Sequence, residues 1–205
     1  MVLRQIIGSW RDVSFEVAAW DGVGAQVDLS CGCMFTREAA GEGPTGGLRH
    51  LDLVLSGALT GLRREGHFPA APMETLLISR PPAGIEAARV LLVGLGDPAS
   101  WTIEVTAEAA ATAARTAMQQ GLQSVAFAPS ILDGGLTTAA TDGMPQAMVT
   151  AVLAAIDAQY RIAELGLAAL PSLRHWVFDV GASRFDGAVE HFGNALATAR
   201  FQRPK

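Results

Sequence analysis

Residues 47–97 read GLRHLDLVLSGALTGLRREGHFPAAPMETLLISRPPAGIEAARVLLVGLGD, and this stretch decides the fold. Leucines at spacings of three and four predict an amphipathic helix over 48–66. A short strand over 74–79, a turn, and a second strand over 89–95 are predicted to follow. The apolar run over 90–93 does not alternate with polar residues, which is typical of a central strand covered by helices on both faces.

Two glycines, Gly57 and Gly61, fall inside the predicted helix. Each costs about 1 kcal/mol relative to alanine in a helix, so some other contact should compensate. Close packing of a neighbouring strand is the preferred interpretation, and a ligand close to the backbone is the alternative.

The flanking sequence alternates strands with helices. Val13, Phe15 and Val17 alternate with polar residues and predict a half-buried strand. Further strands are predicted over 26–35, 124–128 and 173–180, and further helices over 102–120, from Pro145 with Thr141 or Asp142 as its cap, and from a capping box at Ser183. The order predicts an α/β protein, a three-layer α/β/α sandwich with a mixed, mostly parallel sheet, as one domain over 1–205.

Composition and charge argue against several classes of partner. The net charge of −5 and the pI near 5.3 give no basic surface for nucleic acid. The apolar runs are far shorter than the ~20 residues that span a bilayer, so no membrane association is expected. The first twelve residues lack the continuous apolar region of a signal peptide, so we predict a cytoplasmic location.

Two cysteines, Cys31 and Cys33, share one face of a predicted strand with Leu29 and Phe35. Neighbours this close in a strand do not reach disulfide geometry easily, which favours free thiols. Burial among apolar neighbours is preferred over metal binding, because no second cysteine pair or nearby histidine completes a set of ligands.

Glycine-bearing loops are the candidate ligand-binding elements. Ligands of a doubly covered sheet bind beyond the carboxyl ends of its parallel strands, and glycines there expose backbone amides that can hold an anion. The candidate residues are Ser56, Gly57 and Ala58 on one side, and Gly94, Gly96, Asp97, Ser130, Asp133, Gly134 and Gly135 on the other. The alternative is that these glycines only form ordinary turns at the ends of strands.

The first half of the chain resembles the N-terminal domain of the leucyl aminopeptidases, the cytosolic two-metal exopeptidases. The motifs that carry the resemblance are Leu51-Asp52, Gly57-Ala58-Leu59, Glu65-Gly66-His67-Phe68, Glu74–Leu77 and Val90–Gly96. They occur in the family's order and cover roughly half of the chain. The family implies that this domain has a macro-domain-like fold.

The end of the chain also resembles a macro domain, the module that binds ADP-ribose. The strand over 175–180 and the helix over 185–196 are similar to its closing strand and helix. Asp28 is placed loosely like the macro-domain aspartate that reads adenine. However, Ser30-Cys31-Gly32-Cys33 stands where the Asn-Ala-Ala-Asn element is expected, and the polyglycine before the phosphate loop is reduced to Ser56-Gly57-Ala58.

The same resemblance implies where catalysis resides in the leucyl aminopeptidases. A lysine and several carboxylates of their C-terminal domain hold the two metal ions, and we expect this chain to lack that domain. Its only lysine is Lys205. The four histidines, His50, His67, His175 and His191, lie in different predicted elements, so we expect no catalytic residue, no metal site and no cofactor.

These observations leave two hypotheses about function. The first is a non-catalytic, stand-alone domain that acts through protein contacts, either as a homo-oligomer or with a separately encoded peptidase. Alanine-rich helices and a hydrophobic content of 50% support self-association. The alternative is a module that binds ADP-ribose or a related nucleotide as a small-molecule ligand.

Overall fold

One mixed sheet organises the structure, a computed structural model that describes residues 3–38 and 43–202. Within those residues the strands are β1 (Arg4–Trp10), β2 (Val13–Ala18), β3 (Leu29–Phe35), β4 (Thr75–Ile78), β5 (Arg89–Gly96), β6 (Ser124–Ala128) and β7 (His175–Asp179). The helices are α1 (Gly46–Val54), α2 (Ala58–Arg64), α3 (Ile103–Gln119), α4 (Met144–Glu164) and α5 (Phe185–Gln202). Lys205 lies outside the described residues.

The strand order across the sheet is β1-β2-β7-β6-β3-β5-β4. The five inner strands are β2, β7, β6, β3 and β5, and they run parallel to one another. At the two edges, β1 pairs antiparallel with β2 and β4 pairs antiparallel with β5. The predicted α/β sandwich with a mixed, mostly parallel sheet is therefore confirmed.

Helices cover both faces of this sheet. On one face, α3, α4 and α5 bury the larger cluster, in which the ring centroids of Phe178 and Phe192 lie 3.9 Å apart. On the other face, α1 and α2 pack on a smaller cluster. Side chains of β5 alternate between the two, with Leu91 and Val93 in the first and Leu92 in the second, as its unbroken apolar run predicted.

The two cysteines are buried in the larger cluster together with Leu29 and Phe35, as predicted. Burial raises the pKa of the Cys31 thiol well above its usual value, and the neighbouring Cys33 raises it further. Burial likewise raises the pKa of the Cys33 thiol. Both thiols are therefore protonated and poorly nucleophilic near neutral pH.

The predicted continuous helix over 48–66 is wrong, because the chain forms two helices with a break at residues 55–57. Ser56 and Gly57 both adopt left-handed backbone conformations, with φ of 57° and 78°. The carboxylate of Asp52 then accepts a hydrogen bond from the Leu59 amide at 2.9 Å, which starts α2. Gly57 thus serves the turn, where a residue with a side chain would be strained.

The predicted close packing at the two helix glycines is also absent from the described structure. A Cβ built on Gly57 meets no atom within 4 Å, and one built on Gly61 comes only to 4.0 Å from Glu65 Oε1.

β1 was not predicted from the sequence, and the ends of some other elements differ from the predicted ones. The strand predicted to begin at residue 26 begins at Leu29, and Gly143 precedes the first turn of α4 where Thr141 or Asp142 was expected. None of the helices in residues 3–38 and 43–202 is long and apolar enough to cross a lipid bilayer.

Candidate functional site

A cleft of about 1470 Å³ lies at the carboxyl ends of β2, β6 and β7. Its walls include the loop after β2 (19–22), the start of α1 (46–51), the loop after β6 (128–133), the segment that leads into α4 (138–146) and the segment from β7 into α5 (179–188). Ligands of open parallel sheets bind beyond these carboxyl ends of the strands. The cleft is therefore the candidate site, and its polar chemistry is dominated by carboxylates.

Asp179, the last residue of β7, fixes the loop that follows β2. Its Oδ1 accepts a hydrogen bond from the Trp20 amide at 2.8 Å, and its Oδ2 accepts one from the Gly22 amide at 2.9 Å. Only 4% of Asp179 is exposed. Burial raises the pKa of Asp179 to about 6, although both amides lower it and thus oppose that shift.

Asp21 lies between these two amides in sequence and faces the start of α1. Its Oδ2 lies 2.8 Å from Nδ1 of His50, and both side chains are about half exposed. A Cβ built on Gly47 would lie 3.0 Å from Asp21 Oδ1, so the absence of a side chain at Gly47 lets the carboxylate approach the helix.

Asp133 brings a second carboxylate to the same helix start. Its Oδ2 accepts a hydrogen bond from the Leu48 amide at 3.2 Å, and its backbone oxygen accepts one from the Thr45 amide at 3.0 Å. A Cβ built on Gly46 would lie 2.7 Å from the carboxyl carbon of Asp133. The glycine pair Gly46-Gly47 thus makes room for two acidic side chains.

The pKa of the Asp133 carboxyl reflects this crowded position. Burial raises the pKa of Asp133, and the nearby Asp21 raises it further, while the amides of Leu48 and Gly47 and the charge of Arg184 lower it. The net direction is upward, which means that the carboxylate is held in its charged form at a cost in free energy.

Two of the candidate residues from the sequence analysis, Ser130 and Asp133, line this cleft. Gly134 follows them in the same loop but packs inward, since a Cβ built there would lie 2.6 Å from the ring of Phe35. Gly135 donates its amide to the Leu132 carbonyl at 3.0 Å, within the same turn.

The structure places the other candidate residues elsewhere. Asp28 lies at the amino end of β3, and its Oδ2 accepts hydrogen bonds from the amides of Gln123 at 2.7 Å and Ser124 at 3.0 Å. This carboxylate therefore connects the start of β3 to the start of β6. It lies at the amino ends of the parallel strands, opposite the cleft at their carboxyl ends.

The two remaining loops lie outside the cleft lining. Ser56, Gly57 and Ala58 form the break between α1 and α2. Gly94 and Gly96 pack against the segment 70–72, and Asp97 binds Arg37 at 2.9 Å.

Several cleft residues had not been selected from the sequence. Asp21, Asp179, Arg184 and His191 all line the cleft. Asp179 could have been predicted from the sequence, because it is a carboxylate at the carboxyl end of a buried parallel strand, where ligands bind. Across residues 3–38 and 43–202, His, Cys, Asp and Glu side chains form no group of three that could hold a metal ion.

The sequence matches the cytosol aminopeptidase family, N-terminal domain, over residues 34–163, which is more than half of its 205 residues. A comparison with curated proteins gave no match. Among solved structures, a mutant of tomato leucine aminopeptidase is 20% identical, with a TM-score of 0.54, and the alignment covers 85% of this chain and 34% of the tomato chain. The chain thus spans about a third of the length of that enzyme.

Macrodomains are similar over more of their own length. The Oceanobacillus iheyensis macrodomain with ADP is 13% identical, with a TM-score of 0.57, covering 99% of this chain and 100% of that chain. The Trypanosoma brucei macrodomain in complex with ADP is 16% identical, with a TM-score of 0.55, covering 89% and 68%. These likenesses show a macro-domain-like fold. The family match over residues 34–163 covers more than half of the chain, and the chain therefore belongs to the cytosol aminopeptidase family, whose N-terminal domain it matches.

Proposed function

We propose that this chain is a non-catalytic, cytoplasmic domain of the cytosol aminopeptidase family that acts through contacts with other protein chains. The family match to the N-terminal domain supports the non-catalytic part of this proposal. Both thiols are buried and have raised pKa values, which disfavours nucleophilic catalysis by cysteine. Hydrolysis of a leucine anilide by the purified chain with added Mn²⁺ or Zn²⁺ would contradict it.

One observation carries the part of the proposal that concerns contacts. Four aliphatic side chains at the end of α4 and just beyond it are exposed, and we call them the leucine patch: Ile162, Leu165, Leu167 and Leu170. The exposed fractions of Leu167 and Leu170 are 76% and 68%. These residues lie close together in the chain, and exposed apolar side chains that form one contiguous patch mark an interaction surface.

We expect the wild-type chain to self-associate through the leucine patch, and the double substitution Leu167→Glu/Leu170→Glu to shift it to the monomer. Charged side chains would have to be buried without partners in such a contact, which opposes association. Sedimentation velocity at about 10–100 μM, where contacts of micromolar affinity are populated, measures the shift.

The matched control is Leu53→Glu, because Leu53 is 66% exposed but lies on α1, across the sheet from α4. The control should associate like the wild type. A wild-type chain that stays monomeric throughout this range would contradict self-association and would favour a separately encoded peptidase chain as the partner.

The second candidate function is binding of ADP-ribose or a related nucleotide. It is favoured by the cleft of about 1470 Å³ at the ligand-binding edge of the sheet. If the cleft has this function, calorimetry with ADP-ribose, ADP or NAD at about millimolar concentration should show saturable heat. The absence of heat with all three would remove this candidate.

A further inference from the structure

We propose that Asp133 is an internal inhibitor of anion binding, whose carboxylate occupies the start of α1 and keeps phosphate groups of ligands out of that part of the cleft. The inference concerns the specificity of the cleft and does not depend on self-association. It rests on the second candidate function only in the class of ligand that it considers, namely ligands with phosphate groups.

The start of a helix needs an anionic or polar partner, because its first backbone amides have no acceptor within the helix. Over the described residues, the first turn of α1 contains no acidic side chain, and Thr45, which precedes it, makes no side-chain capping bond. The partner comes instead from the loop after β6. Asp133 Oδ2 accepts from the Leu48 amide, although the two residues are 85 positions apart in the chain.

The backbone around Asp133 holds the carboxylate in this place. Its carbonyl oxygen accepts hydrogen bonds from the amide of Thr45 at 3.0 Å and from the Thr45 hydroxyl at 3.2 Å. The side chain is thus delivered by a loop that is itself bound to the residue before α1. The carboxyl carbon also fills the space beside Gly46, where a Cβ would lie only 2.7 Å away.

Neighbouring carboxylates strengthen the exclusion of anions from the start of α1. An anion that approaches the start of α1 meets Asp133 and, beside Gly47, the carboxylate of Asp21. Arg184 is a cation on the same cleft and would attract a phosphate, but its charge also acts on the Asp133 carboxylate. Like charges at close range repel a phosphate more strongly in a partly desolvated site than in water.

The experiment compares the wild-type full chain with Asp133→Ala and with Asp142→Ala, using inorganic pyrophosphate as the probe at fixed ionic strength. Asp142 lines the same cleft, so the control removes an equal charge without touching the start of α1. The readout is the shift of the backbone amide signals of Gly47 and Leu48 in NMR spectra during the titration. Asp133→Asn, which keeps the shape of the side chain, is titrated in parallel, and thermal unfolding establishes that each variant is folded.

We expect pyrophosphate to bind Asp133→Ala at least about tenfold more tightly than it binds either the wild type or Asp142→Ala, with the shifts centred on Gly47 and Leu48. Asp133→Asn should show a smaller gain, and it provides the comparison if Asp133→Ala does not fold. Equal affinity of the wild type and the Asp133 variants overturns the inference, as does the same gain in Asp142→Ala. Absence of ADP binding to the wild type, together with this gain, removes the nucleotide candidate but supports the inference.

Discussion

Gly94→Ala is expected to lower the free energy of unfolding by about 3 kcal/mol or more, because the added methyl group has no room. A Cβ at Gly94 would lie 2.5 Å from the carbonyl carbon of Ala70 and 2.7 Å from its oxygen. These are backbone atoms, which cannot turn away as a flexible side chain does. The same glycine exchanges hydrogen bonds with Met73 and Glu74, at 2.9 Å and 2.7 Å, and these would be disturbed. Urea unfolding followed by circular dichroism measures the loss.

Gly61→Ala is the matched control, since it adds the same methyl group in α2, where the nearest atom is 4.0 Å away. It should raise stability by about 0.5–1 kcal/mol, because alanine favours the helix. Equal stability of the two variants would show that the segment before β4 does not press on Gly94. A ligand-binding role for Gly94 would instead change affinity and leave stability largely unaltered.

Asp179 is expected to add about 2 kcal/mol to the free energy of unfolding as the pH falls from 7 to 4. The pKa of Asp179 is about 6 in the folded protein, against an ordinary value of 3.8. The folded state therefore binds this proton more tightly than the unfolded state does. The free energy of unfolding rises as the pH falls through 6, and the gain levels off near the ordinary value.

Asp179→Asn isolates this contribution, because the amide does not titrate. The Asn NH2 group cannot accept a hydrogen bond from the amide of Trp20 or Gly22, so the variant is expected to lose one of these two bonds, as the protonated carboxyl of the wild type also does. The decisive quantity is the slope of stability against pH between 7 and 4, measured by urea unfolding at several pH values. Parallel profiles for wild type and variant would show that Asp179 does not carry the effect.

The sequence was most informative where burial fixes the residue pattern. The strand over 124–128 was predicted with its observed bounds, and β5 with an error of one residue, because apolar runs bounded by turn residues leave few alternatives. The layered architecture followed from the order of such segments.

Local features that depend on tertiary contacts were harder to predict. β1 is an edge strand whose first residues are mostly exposed, so it shows little apolar alternation, and its register with β2 shifts between Ile6 and Gly8. The break before α2 depends on Asp52, whose carboxylate reaches across the turn to the Leu59 amide. The leucine spacing alone continues through this break and therefore predicted one helix.

The candidate site was predicted as a location better than as a set of residues. The rule for parallel sheets led to the loop that contains Ser130 and Asp133. Asp21 and Asp179 come together because β2 lies beside β7, a pairing that the sequence does not reveal. Asp28 was selected because it is placed loosely like the macro-domain aspartate that reads adenine, but its carboxylate accepts hydrogen bonds from the backbone at the start of β6.

The pairing of β2 with β7 has a consequence for how the polypeptide folds during synthesis. Ser14 and His175 face each other across this pair although they are 161 positions apart. The hairpin of β1 and β2 is therefore synthesised long before β7, and its inner edge stays unpaired until β7 has been made; such distant pairing slows folding. Until then the edges of β2 and β6 are open to other strands, so nascent chains that stop short of β7 are expected to depend on chaperones or to aggregate.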